Sequence, residues 1–164
     1  MILPAVITSR RLTLRPFEMQ DLEGYVAYYT GPRTGGVGGP RPRHQVVERF
    51  MAMAGQWSLR GYGRHAITEG GPAFGHVGIM HLDDVDTPEM TWTLWDADRE
   101  GAGYATEAAA AVLTAWQGAP LVARIAPGNT ASLRMAARLG FSADPEATSP
   151  AYAPGMLTFR QGAA

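Results

Sequence analysis

The stretch REGAGYATEAAAAV, Arg99 to Val112, sets two glycines beside a tyrosine and then becomes a run of alanines. Alanine is the best helix former, so the run reads as a helix and the glycines as the junction into it. The first N–H groups of a helix have no intrahelical partner and carry partial positive charge. A junction stripped of side chains lets an anion, a phosphate above all, approach them closely. A second segment, NTASLRMAARLGF (Asn129 to Phe141), begins with an asparagine able to cap a helix and a serine, Ser132, three positions on. Capping alone accounts for that pair.

Three readings of the junction stay open on these residues. Gly103 could ease a tight turn ahead of an alanine-rich helix packed closely on a sheet. GAGYAT could open a dinucleotide fold, but it lacks the last glycine of G-x-G-x-x-G, and no acidic residue closes LVARIA to hold a ribose. A phosphate loop ending in G-K-[ST] is excluded, because all fourteen basic residues are arginine. The third reading joins the two segments. Two helix N-termini, one crossover apart, would open on one edge of a sheet and hold an extended ligand with a diphosphate at one end.

The elements needed to place them follow from periodicity. RRLTLRPF (Arg10 to Phe17) alternates as a half-buried strand does, and EMQDLEGYVAYY (Glu18 to Tyr29) repeats at helical spacing. Thr30 to Arg43 is dense in glycine and proline and reads as irregular, and a second helix is expected from about His44 to Arg60. YGRHAIT and AFGHVGIMHL read as a hairpin turned through EGGP. Glu89 to Trp95 is a further strand, with Met90, Trp92 and Leu94 on one face and Glu89, Thr91 and Thr93 on the other. A helix over about Tyr104 to Trp116, a strand over Leu121 to Ala126, a helix over about Thr130 to Leu139 closed by Gly140, and a last strand in Pro154 to Arg160 complete the chain. The strand, helix and strand from Met90 to Ala126 form the kind of crossover that joins parallel strands, whereas the earlier strands connect by short turns and are expected to be antiparallel. The result is an α/β architecture with a mixed sheet.

Composition sets the bounds. At 164 residues, 46% hydrophobic and 18% charged, the chain is expected to form one globular domain over residues 1–164. A net charge of −1 gives no electrostatic footprint for nucleic acid or a membrane surface. The start MILPAVITSR does not read as a signal peptide, and no apolar run approaches a membrane span. With no cysteine there is no disulfide, no thiolate catalysis and no cysteine-bound zinc, and a cytoplasmic location is the simplest expectation. His76 and His81 fail as a metal pair, since an odd separation points them to opposite faces of a strand.

Taken together, RRLTLRPFEMQDL, GAGYATEA and NTASLRMAARLGF, in that order, resemble the GNAT acyltransferase superfamily, and specifically its ribosomal-protein-alanine N-acetyltransferase-like branch. The resemblance covers roughly Ser9 to Phe141. It implies a mixed, mostly antiparallel sheet with a central parallel pair splayed apart and helices on both faces. It also implies transfer of acetyl from acetyl-CoA to a primary amine without a covalent enzyme intermediate or a metal.

By the same resemblance the backbone of Gly101, Ala102, Gly103, Tyr104 and Ala105, with the Thr106 hydroxyl, would hold the pyrophosphate. The strand at Trp92, Thr93 and Leu94 would pair with the pantetheine arm, Asn129 would contact that arm, and Ser132 would lie near the sulfur. Arg138 would meet an outer phosphate. Glu100 departs from the family pattern, placing a carboxylate where a neutral or basic side chain is usual, and Arg99 is the candidate to substitute for it. Glu89 is the candidate base, with His76 and His81 as alternatives. The glycine-rich Gly31 to Pro40 segment lies where related proteins shape the acceptor side, as a flap or as a plain connection. Dimers are common among the proteins it resembles. The acceptor stays open between a protein N-terminus and a small molecule, and a noncatalytic acyl-CoA-binding or sensory domain of the same fold is the alternative.

Overall fold

The computed structural model describes residues 2–83 and 86–162. Its strands are β1 (Ile7–Thr8), β2 (Thr13–Arg15), β3 (Arg64–Thr68), β4 (Gly75–Met80), β5 (Glu89–Leu94), β6 (Val122–Ile125), β7 (Phe141–Ala143) and β8 (Leu157–Gln161). They form one sheet in the order β1-β2-β3-β4-β5-β6-β8-β7. The helices are α1 (Leu22–Tyr29), α2 (Arg43–Arg60), α3 (Tyr104–Ala115) and α4 (Thr130–Arg138). Every strand pair is antiparallel except β5 with β6.

That parallel pair registers only at Glu89 and Val122, although both strands run on to Leu94 and Ile125. The two therefore splay, and the β5 edge beyond its first residue is left without a partner strand. Backbone N–H and C=O groups on such an edge are available to an extended ligand.

The two faces of the sheet are covered by different helix pairs. Val77, Ile79 and Met90 pack with Ala108, Ala109 and Val112 of α3 and with Met135 and Ala136 of α4. Alanines at 108 and 109 let α3 sit close to the sheet, and burying Val112 alone is worth about 1.5–3 kcal/mol. On the other face Ala66 and Trp95 pack with Tyr25, Val26 and Tyr29 of α1 and Val46, Phe50 and Met53 of α2. Strand alternation sorts β5 as its pattern predicts: Met90, Trp92 and Leu94 join the α3/α4 side, while the Tyr29 hydroxyl on the α1/α2 side lies beside Thr93.

Local differences have local causes. Two short strands, β1 and β7, go beyond the pattern-based reading, since two or three residues carry too little alternation to register. The first helical segment opens as a 3-10 turn at Met19–Asp21, where Glu18 and Asp21 exchange capping bonds. Within the glycine-rich segment Pro32–Val37 winds into a 3-10 helix that ends on left-handed Gly38. Gly140 caps α4 in the left-handed conformation its type suits, with φ of 82°. Among the described residues no helix is long and apolar enough to cross a membrane.

Candidate active site

A cleft of about 1380 Å³ opens where β5 and β6 part. Its walls include Trp92, Thr93 and Leu94 from β5, Gly101, Gly103, Tyr104, Ala105 and Thr106 at the start of α3, and Asn129, Ser132, Arg134 and Arg138 from α4. The two helix N-termini singled out by sequence thus share one space. Gly101 and Gly103 have φ of 74° and 80°, a backbone that side-chain-bearing residues rarely adopt. The helix's bonding begins with the Glu107 N–H to the Gly103 carbonyl, so the N–H groups of Tyr104, Ala105 and Thr106 have no intrahelical acceptor.

The junction is braced from outside by residues that motif reading did not single out. The Arg11 guanidinium donates to Glu107 Oε2 at 2.6 Å and to the Ala102 carbonyl at 3.0 Å, and it lies 4.2 Å from the Tyr104 ring centroid. Ser9 Oγ and the Arg11 N–H both donate to Glu107 Oε1 at 2.8 Å. Burial pushes the Glu107 carboxyl up, but the donors from Arg11 and Ser9 outweigh it and hold the group at about 2. An ionised Glu107 in the first turn also complements the helix dipole. The signal was present as the RRL run at Arg10–Leu12, whose charge could have been matched to the glutamate in GAGYATEA.

The carboxylate at Glu100 is taken up by Arg33, which reaches over from the 3-10 turn and also donates to the Trp95 carbonyl at 2.8 Å. Arg99 does not line the cleft. It pairs with Glu69 and stacks over Phe74 at 4.5 Å, outside the space it was expected to enter. Tyr104 joins that group through its hydroxyl, which donates to Glu69 Oε1 at 2.9 Å. Ala102 stays off the cleft wall, with its carbonyl turned to Arg11. Arg134 and Arg138, four residues apart on one face of α4, both line the cleft, and neither ion-pairs with a carboxylate among the described residues. Arg134 was not anticipated, although its spacing from Arg138 marks it.

Deeper in the cleft, the Trp92 indole N–H donates to Ser132 Oγ at 3.2 Å, and the Ser132 N–H donates to the Asn129 cap at 3.2 Å. Ser132 thus accepts from the indole and keeps its own O–H free to donate. The glycine-rich segment closes over this point: a Cβ on Gly36 would stand 2.8 Å from Asn129 Nδ2.

Glu89 lies at the closed end of the V, buried and outside the cleft lining, with Arg124 Nη1 donating to it at 2.8 Å. Arg124 also reaches Asp86 at 2.8 Å and Tyr152 at 2.7 Å. Burial raises the Glu89 carboxyl more than Arg124 and Arg64 lower it. His76 is buried on the α1/α2 face, accepting at Nδ1 from the Trp95 indole at 3.0 Å, and burial with nearby Arg64 and Arg49 keeps it neutral. His81 meets the Tyr62 hydroxyl on the other face. No cluster able to hold a metal ion occurs among the described residues.

A splayed parallel pair with a glycine-lined helix start at its mouth is the architecture of an acetyltransferase, and the comparisons agree. The acetyltransferase (GNAT) domain family matches residues 11–142, and the chain belongs to that family. It is similar to a solved acetyltransferase from Agrobacterium tumefaciens, with 32% identity, a TM-score of 0.85, and 99% of this chain and 96% of that one covered. A GnaT-family acetyltransferase from Bordetella pertussis follows at 25% identity, a TM-score of 0.78, and coverage of 97% and 100%. RimL, a ribosomal L7/L12 α-N-protein acetyltransferase solved with coenzyme A, shares the fold at 15% identity, a TM-score of 0.72, and coverage of 94% and 96%. No curated protein matches the chain.

Proposed function

We propose that this acetyltransferase moves an acetyl group from acetyl-CoA to a primary amine by direct attack. One observation carries the reading: the bare start of α3, the unpaired edge of β5 and the Asn129–Ser132 cap share a single cleft. Its donors suit that coenzyme. Free N–H groups at Tyr104–Thr106 face a diphosphate, Arg134 and Arg138 offer charge to further phosphate oxygens, and the β5 edge offers backbone to amides of the pantetheine arm. Arg33 removes the one objection in the motif by engaging the Glu100 carboxylate.

Acetyl-CoA supplies an activated acyl carbon and a thiolate leaving group. The amine nitrogen bonds to that carbon as the carbon–sulfur bond breaks; the amine gives up a proton and the sulfur gains one. Ser132, oriented by the Trp92 indole, donates its hydroxyl proton toward the sulfur. Glu89 is the acidic side chain on the α1/α2 face of β5, and its raised carboxyl pKa suits it to take the amine's proton through water. The chain has no cysteine to carry the acyl group, which favours direct attack.

The test is thiol release from acetyl-CoA across a panel of amines, beside the thermal shift caused by acetyl-CoA. Turnover with at least one primary amine is expected; stabilisation with no thiol released by any would leave an acyl-CoA-binding domain instead. Ser132→Ala should lower kcat at least tenfold with little change in acetyl-CoA affinity. Glu89→Gln should lower kcat/KM about 10²-fold or more and remove the acid limb of its pH profile. Unchanged kinetics in either variant would remove that residue from its role.

A further inference from the structure

Three arginines on the α1/α2 side of the sheet, Arg41, Arg49 and Arg64, do not line the coenzyme cleft. Arg64 of β3 registers with Gly78 of β4, which registers with Thr91 of β5, so it lies two strands from the centre of β5. The Arg49 guanidinium, from α2, stands 5.5 Å from the Tyr29 ring centroid, and Arg41 is tied to α1 through its backbone N–H, which donates to the Tyr29 carbonyl at 2.9 Å. Arg41, Arg49 and Arg64 each bear electrostatically on both Tyr25 and Tyr29, and Arg49 bears on Arg64.

None of the three is neutralised. Elsewhere arginines find carboxylates: Arg11 with Glu107, Arg15 with Asp21, Arg43 with Glu23, Arg124 with Glu89. Among the described residues no carboxylate lies within ion-pair distance of Arg41, Arg49 or Arg64. Glu89 acts on Arg64 only at longer range, because its ion pair goes to Arg124. The Nε atoms of Arg41 and Arg64 are buried without any hydrogen-bond partner. Converging like charges and orphaned buried donors are both unfavourable, and an anion received among them removes both costs.

The placement says which molecule brings it. The coenzyme's helix N-termini open on the α3/α4 side of β5, so an attacking amine comes from the opposite face. There stand Glu89, Thr91 and Thr93, with the Tyr29 hydroxyl beside Thr93 and Arg64 across Gly78. Gly78 has φ of 136°, and a Cβ on it would stand 2.6 Å from the Gly63 carbonyl oxygen and 2.8 Å from Arg64 Cα. No side chain therefore intervenes between Arg64 and β5 at that register.

We propose that Arg64, with Arg41 and Arg49, forms an anion subsite that holds a carboxylate of the acceptor, so that the acceptors are small amines that also carry a carboxylate. This rests on the transfer reading above and names its second substrate class. The test has two arms. Thiol release is measured with the common amino acids and with their matching amides. Thermal shift of the coenzyme-A-loaded protein is measured with the N-acetyl forms of both sets, in wild type and in Arg64→Met.

At least one carboxylate should be preferred over its amide by tenfold or more in kcat/KM, and carboxylates alone should shift the melting temperature. Arg64→Met should abolish both preferences, chiefly by raising KM, without lowering the melting temperature of the free protein as loss of a structural arginine would. Equal response to acids and amides in both arms, or a preference that survives Arg64→Met, overturns the subsite. A carboxylate-selective shift with no thiol released sinks the transfer reading and leaves the subsite standing. Equal turnover of amides and acids does the reverse.

Discussion

On the α3/α4 side of β5 the candidate site is built around backbone, with side chains of α4 beside it: the left-handed glycines 101 and 103, the open first turn of α3 and the unpaired strand edge. On the α1/α2 side it is made of side chains: Tyr25 and Tyr29 from α1, Arg49 from α2, Arg64 from β3, His76 from β4 and Glu89 from β5. On the proposed function the difference follows from what each side would bind. A diphosphate is met by N–H groups that any sequence supplies, provided nothing obstructs them. An acceptor is told from its analogues by placed charges and hydroxyls, which must be gathered from distant parts of the chain.

Among variants on the α3/α4 side that leave Ser132 and Glu89 in place, the largest effect should come from Gly103→Val. A β-branched residue at φ of 80° costs about 1–3 kcal/mol and its Cβ would stand 3.5 Å from Arg11 Nη2, so the loop must leave its left-handed conformation and acetyl-CoA affinity should fall tenfold or more by titration calorimetry. Wild-type affinity in this variant would break the account of the first side as a backbone site.

Glu107→Gln tests the brace behind that cradle. The three charge-assisted bonds from Ser9 and Arg11 weaken, at about 1–3 kcal/mol together, and the melting temperature at pH 7 should drop by several degrees. The sign with pH is fixed. The folded carboxyl at about 2 lies below its ordinary 4.5, so its stabilisation is complete above about 4.5 and is lost as pH falls toward 2. The gap between wild type and variant should therefore close over that range in acid melts; a constant gap would show that the charge on Glu107 does not matter.

The smallest effect belongs to Trp92→Phe, which keeps a ring but removes the donor to Ser132. A fall in kcat of a few-fold, with acetyl-CoA affinity nearly unchanged, is expected from steady-state kinetics and calorimetry. A loss of affinity instead would show that the indole acts by contact with the coenzyme rather than by orienting Ser132.

Legibility followed the same division. The junction at Gly101–Thr106 and the Asn129 cap were readable because helix starts and left-handed turns are decided within a few residues. The alternation of β5 correctly separated Trp92 from Thr93 for the same reason. Arg99 was misplaced because only folding brings Glu69 within its reach, and that pairing draws it out of the cleft. The fate of Glu100 depended on Arg33, 67 residues away.

Sequence by itself determined the order of the helices and of every strand but β1 and β7, the crossover that makes β5 and β6 parallel, and the side-chain-free start of α3. These are consequences of periodicity and of backbone preference, which act over one or two turns. Tertiary structure alone decided how far β5 and β6 pair, that Arg11 braces the loop, and that Arg41, Arg49 and Arg64 bear on Tyr25 and Tyr29 with no ion-paired carboxylate among the described residues. Such outcomes depend on electrostatic partners drawn from segments tens of residues apart, and no local rule contains the distance between them.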